Sequence, residues 1–307
     1  MAGTDSQRVS IQGRELALTN LDRVLWPEDG LTKGDLIEYL VRMAPVIMPH
    51  VRDRPLVLTR YPAGIAGESF YQKNLPQGAP DWVPTYRHQG PSSEREISYV
   101  LCDHPAVLAW LGNQAAIEIH PWFSRTDDVQ LPDIACFDLD PVEPAGFDEC
   151  RPIAWLVRRA LDQFGLQAWL KTSGATGLHL YVPIQRRYGY RDIARAVGRI
   201  SDAVHQTGQA RTTRVRSVAR RPPGTVYLDH LQNVLGKTLA MAYGPRPHPG
   251  APVSAPIAWE ELDTIQPKGL TLRTMPDRVT MVGDLFSGLE RTAQDWTPVM
   301  EYFGRAP

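Results

Sequence analysis

The sequence predicts a mixed α/β (α+β) protein whose second half carries a ferredoxin-like sheet. Three observations predict it. From residue 133 to 230, stretches of period two and period 3.6 follow one another in the order β-α-β-β-α-β, the split βαβ arrangement. A length of 307 residues suffices to bury a sizeable core, as one large or two modest domains. Apolar residues make up 43% and charged residues 22%, an ordinary globular composition that excludes a disordered or fibrous chain.

Each element has its own signal. "TKGDLIEYLVRMAPVI" brings Leu36, Ile37, Leu40 and Met43 to one helical face, with Thr32 to cap it and Pro45 to end or bend it. "RPLVLTRYPAGI" reads as a strand leading into a turn. Residues 63–92 are rich in Gly and Pro yet hold Phe70, Tyr71 and Trp82, which predicts a structured surface excursion. By residue type alone, Phe70 and Tyr71 are expected in the core. "HPAVLAWLGNQAA" is helical, and "AIEIHPW" is a short strand with Glu118 and His120 on one face. "DIACFDLDP" is a strand ended by Pro141. "PIAWLVRRALDQFG" is an amphipathic helix through Ile153, Leu156, Val157, Ala160, Leu161 and Phe164, closed by Gly165. "LQAWLKTS" and "LHLYVPI" are strands joined by a glycine turn. "RDIARAVGRISDAVHQTG" is a helix with Ile193, Val197, Ile200 and Val204 inward, and "GTVYLDH" is a further strand. The Pro-rich "YGPRPHPGAPVSAPI" and one or two helices complete the chain.

Several function classes drop out. No apolar run approaches the roughly 18 residues of a membrane span. "MAGTDSQRVS" lacks the apolar core of a signal peptide, so a cytoplasmic location is expected. Cys102, Cys136 and Cys150 have no CxxC spacing and read as reduced thiols, neither a disulfide frame nor a zinc site. The net charge of −1 conceals a concentration of charge. Ten arginines between Arg186 and Arg221 face only Asp192 and Asp202 in sequence, an excess of eight positive charges. Some belong to a solvated helix face. Those of "RTTRVRSVARRPPG" sit in a Pro/Gly-punctuated loop, where they repel one another unless they meet phosphates.

The chemistry lies in two short stretches. In "CFDLDP", Asp138 and Asp140 stand at i and i+2, so a strand projects both carboxylates to one face, while Phe137 and Leu139 point to the core. Two carboxylates so close resist joint ionisation unless a cation sits between them, although acid pairs are also common at strand exits. Asp229 ends "TVYLDH", a strand that the topology places beside the first. Three carboxylates on adjacent strands make a hard-oxygen site suited to Mg²⁺ or Mn²⁺, and two such ions can clamp an in-line phosphoryl displacement. The second stretch, "KTSGATGLHLYVP", packs Ser173, Gly174, Gly177 and His179 into a turn with more backbone donors than a hairpin needs, which points to an anion.

These motifs, in this order, resemble the archaeo-eukaryotic primase superfamily: DxD on one strand, SGxxGxH on a hairpin and a later single Asp. More closely, the chain is similar to the polymerase domain of the bacterial DNA ligase D group. "LTNLDRVLWPEDGLTKGDL", "FYQKNLP", "CFDLDP", "KTSGATGLHLYVP", "LDHLQNVLGKT" and "PGAPVSAPIAWEEL" carry the likeness from about residue 15 to the end. The resemblance implies a primase-polymerase fold with a ferredoxin-like/RRM-like catalytic sheet and an N-terminal α/β lobe packed against it. It implies a single catalytic domain over 1–307, with the lobe at about 1–130 and the catalytic sheet at about 131–307. It also implies a template-dependent nucleotidyltransferase that fills gaps on DNA ends during non-homologous end joining. Asp138, Asp140 and Asp229 would hold two Mn²⁺ or Mg²⁺ ions. Ser173 and the turn amides of Gly174, Thr176 and Gly177 would cradle a nucleoside triphosphate, with His179, Gln232, Lys237 and Arg246 completing the site. Arg23 and Lys33 would bind the 5′-phosphate of a gap, Phe70 and Tyr71 would stack on template bases, and Lys73 would be a further DNA-binding residue. Arg60 and His120 would line the template and primer path, and Arg220 or Arg221 would shape the primer end. Implied partners are primed or gapped DNA with a 5′-phosphate, Ku, and a separate or fused ATP-dependent DNA ligase, in a nucleoid-associated cytoplasmic setting without a membrane.

The chain departs from the family pattern at Thr176, Thr225 and Gly244-Pro245, where lysine, lysine and Tyr-Ser are usual. The first two changes remove positive charge near the nucleotide and primer terminus while sparing the acidic trio. Three alternatives share some of these motifs: a primase that starts chains de novo, a DNA-end-binding module with weak catalysis, and a metal-dependent phosphodiesterase. The last has little use for a triphosphate cradle.

Overall fold

The computed structural model describes residues 6–90 and 95–304, which group into two compact units. Residues 1–5 of the N-terminal stretch and residues 91–92 of the predicted surface excursion lie outside the described residues.

The first unit comprises Met1–Trp122, Leu239–Ser254 and Lys268–Gly283. A hairpin of β1 (Ser6–Ile11) and β2 (Arg14–Thr19) opens it. Helix α1 (Lys33–Arg42) starts where Thr32 and Asp35 form a reciprocal capping box: Thr32 Oγ1 accepts from the Asp35 N–H, and Asp35 Oδ2 accepts from the Thr32 N–H. Pro45 acts as the sequence predicts, and more. Met43 closes α1 and also caps α2 (Ala44–Val51), in which Pro45 occupies the first turn, where no N–H is needed. Leu36, Leu40, Ile47 and Val51 from these helices are fully buried.

Strand β3 (Leu56–Arg60) is the hub of the unit's sheet. It pairs antiparallel with β4 (Phe70–Gln72) and with β7 (Ala116–Pro121), and Leu56 meets Val100 of β6 (Ile97–Val100), which in turn pairs with β5 (Thr85–His88). Helix α3 (Pro105–Asn113) precedes β7 and begins on a cap from His104, whose Nδ1 accepts the Ala106 N–H. Residues 63–90 thus carry two strands of this sheet, as a structured excursion should. The expectation that Phe70 and Tyr71 are core is overturned: they are 44% and 57% exposed on the outermost strand β4.

The second unit comprises Phe123–Thr238, Ala255–Pro267 and Asp284–Pro307. Its elements run β8 (Ile134–Pro141), α4 (Phe147–Asp162), β9 (Trp169–Thr172), β10 (Leu178–Pro183), α5 (Tyr190–Thr207), β11 (Thr212–Thr213), β12 (Val226–Asp229) and β13 (Pro256–Ile257). The sheet order is β11-β12-β8-β10-β9-β13, antiparallel throughout except between β11 and β12. The four middle strands take the ferredoxin-like order that β-α-β-β-α-β predicts. Ile153, Val157 and Leu161 of α4 and Ile193, Val197 and Ile200 of α5 are buried together with Phe137, Leu139, Leu180 and Val182 of the sheet.

Helix α4 starts at Phe147, ahead of the start expected at Pro152. Glu149 caps the Gly146 N–H at 2.6 Å, and Asp148 with Glu149 places two acids in the first turn, where the helix dipole favours them. Gly165, at φ 68°, follows its end as predicted. The three cysteines are free and buried, and burial raises each thiol well above its ordinary range, so all three are inert. No helix among the described residues is long and apolar enough to cross a membrane.

The arginine-rich stretch is less bare in space than in sequence. Arg186 pairs with Asp127, Arg187 with Asp295, Arg214 with Asp202, and Arg221 approaches Asp140. Asp127, Asp295 and Asp140 lie outside the stretch that was counted, which is why counting along the chain overstated the excess.

Candidate active site

The acidic cluster follows from strand register. Asp138 and Asp140 leave β8 on one face, and pairing with β12 sets Asp138 opposite Asp229 and Asp140 opposite Tyr227. One oxygen from each of the three carboxylates lies within 4.8 Å of the others. Asp138 is almost fully buried, and burial followed by the Asp229 charge pushes its pKa up to about 7, against a downward pull led by Lys171. Asp140 is likewise raised to about 7, by burial and then by Asp138 and Asp229, with Arg221 opposing. A cluster that resists its own ionisation is short of positive charge.

Two contacts test whether a cation fits. Asp138 Oδ1 is buried and accepts no hydrogen bond; His179 Nε2 stands 3.3 Å away, within reach but not in line. Gln232 Nε2 lies 3.2 Å from Asp138 Oδ2 and 3.4 Å from Asp229 Oδ2, so an amide N–H occupies the position where a cation's charge would serve both carboxylates. The donor set is all oxygen, which suits Mg²⁺ or Mn²⁺. These residues fit a divalent cation.

The glycine hairpin joins β9 to β10 beside this cluster. Gly174 adopts φ 72°, and a Cβ on Gly177 would stand 2.5 Å from the Leu139 carbonyl oxygen, so only glycine lets the turn lie against β8. Ser173 Oγ accepts the N–H groups of Ala175 and Gly177, and the Ser173 N–H donates to the Gly177 carbonyl. Part of the expected anion cradle, the Ala175 and Gly177 amides, is therefore folded on itself. His179 is buried with Nδ1 2.8 Å from Lys171 Nζ. Arg221 enters the site with its guanidinium 3.6 Å from the Tyr227 ring centroid and 3.9 Å from Asp140 Oδ2, whereas Arg220 and Lys237 are exposed.

Sequence reasoning missed two residues here. Lys171 is completely buried within β9; its signal was a lone charge in an apolar strand whose register partner is His179. Asn233 clamps the loop after β12 to β8, accepting the Cys136 N–H at 2.8 Å and donating to the Cys136 carbonyl at 2.7 Å. Nothing in "LDHLQN" announces it.

The remaining predicted residues lie in the first unit. Arg246 is not gathered with the acidic trio's unit; its Nε stands 3.1 Å from Glu118 Oε1. Glu118 also accepts from Tyr61 Oη at 3.1 Å and faces His120 at 3.9 Å. Hydrogen bonding and charge from His120 and Arg246 outweigh burial and hold Glu118 down at about 2. Lys33 is buried, and its Nζ meets only neutral oxygens in the hydrogen bonds it makes, those of Thr19 Oγ1 and the Asn113 carbonyl. Burial and then the nearby Arg23 charge lower it to about 8. Arg23 donates to the Pro62 carbonyl. Among the described residues, neither of these two neighbouring cations forms an ion pair with a carboxylate. Arg60 is held by Gln72 and Gln114 and stacks on Phe70 at 5.0 Å, and Lys73 lies 5.9 Å from the ring centroid of Tyr71.

Two departures from the family pattern have local reasons. Thr225 Oγ1 donates to the Pro222 carbonyl at 2.6 Å and closes its loop. A Cβ at Gly244 would stand 2.8 Å from Met241 Cγ, so the usual tyrosine has no room as the chain is packed.

Comparison with known proteins agrees with this geometry. The family model described as LigD, primase-polymerase domain, matches residues 32–286. The chain is 32% identical over 278 residues to the multifunctional non-homologous end joining protein LigD of Mycolicibacterium smegmatis, covering 90% of this chain and 36% of that protein. It is 31% identical over 283 residues to the bifunctional LigD of Bacillus subtilis, covering 92% of this chain and 45% of that protein. The chain therefore spans less than half the length of these relatives. Among solved structures, the polymerase domain of Mycobacterium tuberculosis ligase D in complex with DNA superposes with a TM-score of 0.84 at 30% identity, covering 91% of this chain and 99% of that one.

Proposed function

The chain belongs to the LigD primase-polymerase domain family, and from that premise we propose that it is a template-dependent nucleotidyltransferase that extends primers and fills gaps on broken DNA ends. We take residues 1–307 as one such catalytic domain. The observation that carries this is the gathering of Asp138, Asp140 and Asp229 by register, within 4.8 Å and short of positive charge.

The reaction forms a bond from the primer 3′-hydroxyl oxygen to the α-phosphorus of a nucleoside triphosphate and breaks the bond to pyrophosphate. Asp138, Asp140 and Asp229 would hold two Mg²⁺ or Mn²⁺ ions, which when bound stabilise charge on the attacking and leaving oxygens. The amides of Gly174 and Thr176, with Lys237, bind the triphosphate. Arg221, stacked on Tyr227 beside Asp140, orients the primer end. Gln232 yields its place between the carboxylates and turns to the nucleotide.

DNA is the proposed partner, supported by the relative solved in complex with DNA. Arg23 and Lys33 take the 5′-phosphate of a gap, and the exposed rings of Phe70 and Tyr71 stack on template bases, each contact worth about 1–3 kcal/mol. The relatives' names support a role in end joining, with Ku and an ATP-dependent ligase as companions on chromosomal breaks in the cytoplasm. The test is extension of a primer across a 5′-phosphorylated gap with Mn²⁺ and nucleotides. Templated products that disappear in Asp229→Asn support the assignment. Retention of a gel shift with 5′-phosphorylated DNA and no extension at any divalent cation would leave a DNA-end-binding module instead.

A further inference from the structure

Helix α6 (Thr297–Gly304) packs along α5 in the second unit, and a notch of about 310 Å³ opens between them. Its floor is apolar: Ala196 and Val299 are buried there, and Met300 and Phe303 are half-buried. The Phe303 ring meets the Tyr302 ring edge-on, centroids 5.0 Å apart, and lies 6.1 Å from Phe164, so neighbouring rings hold it in place. From α5, Arg195 and Arg199 line the notch and remain exposed. This is not the face of the acidic trio. Helix α5 covers the side of the sheet that Phe137 and Leu139 enter, and strand alternation sends Asp138 and Asp140 to the other.

Charge along α5 is unbalanced. Arg186, Arg187, Arg214 and Arg221 of the arginine-rich stretch meet acids. Arg191, Arg195 and Arg199 are exposed and form no ion pair among the described residues. They stand at i, i+4 and i+8, a spacing at which like charges repel along a helix, and an anionic ligand relieves that repulsion. Two features favour a peptide over nucleic acid. The notch is apolar and at the lower limit of ligand pockets, about 300–1,000 Å³, which suits one large side chain rather than a run of phosphates. Asp192, the one acid among the described residues that line it, lies one turn before Arg195. A phosphate chain following α5 would be repelled there, whereas a peptide can turn an N–H to that carboxylate. We propose that the notch between α5 and α6 docks an acidic peptide segment of a partner protein. One large apolar side chain of the segment rests on Met300 and Phe303, and flanking carboxylates pair with Arg195 and Arg199. A partner held there leaves the face of the acidic trio open, and the proposal does not depend on which reaction that trio performs.

Random dodecapeptides displayed on phage, selected on the whole chain and counter-selected on Arg195→Gln/Arg199→Gln, test this. Glutamine keeps the helix propensity of α5 and removes both charges. Peptides held by the parent and lost by the variant are expected to carry Phe, Leu, Trp or Met flanked by Asp or Glu. A labelled synthetic copy should bind the variant about 10-fold or more weakly in fluorescence anisotropy. Met300→Glu, which sets a carboxylate in the notch from the other helix, should weaken the same peptide similarly, so the result does not hang on one variant. Selected peptides that lack acids, or that bind the parent and both variants equally, overturn the proposal. A labelled single-stranded oligonucleotide should bind parent and variants alike; a loss of about 10-fold in Arg195→Gln/Arg199→Gln would give the ridge to nucleic acid and overturn it as well. Primer extension is expected to be equal in all three proteins. Extension absent from all of them would strike at the polymerase assignment and leave the peptide measurements as they are.

Discussion

At the scale of single residues, the candidate site is a place where burial and like charge act together. Asp138 and Asp140 are both raised to about 7, so the folded chain keeps protons that the unfolded chain releases near pH 4. Metal-free stability therefore falls as pH rises from about 4 to about 7 and levels off above that. Divalent cations require the ionised carboxylates, and the sign reverses when they bind. Saturating Mn²⁺ is expected to raise the melting temperature by several degrees more at pH 8 than at pH 5.5, measured by differential scanning calorimetry; equal shifts at both values would count against the trio as ligands. Asp140→Asn removes one repelling charge. It should stabilise the metal-free chain at pH 8 by about 0.5–2 kcal/mol in urea titrations while extension falls at least about 100-fold. The DxD spacing made this pair legible in sequence, because period two on a strand is enough to set two carboxylates side by side. Lys171 was not legible, since its meaning depends on a register that brings His179 opposite it.

At the scale of elements, register and close approach build the site. Both the pairing of Asp138 with Asp229 and the contact of Gly177 with the Leu139 carbonyl belong to the neighbours of β8. Gly177→Ala would force its Cβ onto a backbone atom that cannot yield, so β10 must shift from β8. A loss of about 1–3 kcal/mol in chemical denaturation is expected, together with a weakened nucleotide site. Wild-type stability and wild-type nucleotide affinity would contradict the close approach. The β-α-β-β-α-β order and the ends of α1 and α5 were readable from periodicity and caps. The start of α4 was not, because Pro152 imitates a first-turn proline while Gly146 and Glu149 set the true start upstream. Asn233 was hidden too, since a side-chain amide that completes a strand's hydrogen bonding leaves no periodic trace.

At the scale of the whole molecule, charge is distributed by task. The total of −1 says little, whereas the second unit concentrates acids at one sheet face and the first unit holds Lys33 and Arg23 without an anionic partner among the described residues. Lys33→Ala is expected to reduce the preference for 5′-phosphorylated over unphosphorylated gaps by about 10-fold or more, with extension of simple primers spared. The slope of log affinity against log salt should fall by about 1. Equal preference in variant and parent would remove the phosphate assignment. Composition foretold none of this, because the aromatic rings of Phe70 and Tyr71 were expected in a core and stand exposed on β4.

The most direct measurement is anomalous scattering from a crystal of the chain soaked with Mn²⁺ and a nucleoside triphosphate. Peaks between the carboxylates of Asp138, Asp140 and Asp229, with the triphosphate against the Ser173–Gly177 turn, are the predicted result. Manganese bound elsewhere, or a nucleotide seated away from that turn, would contradict it.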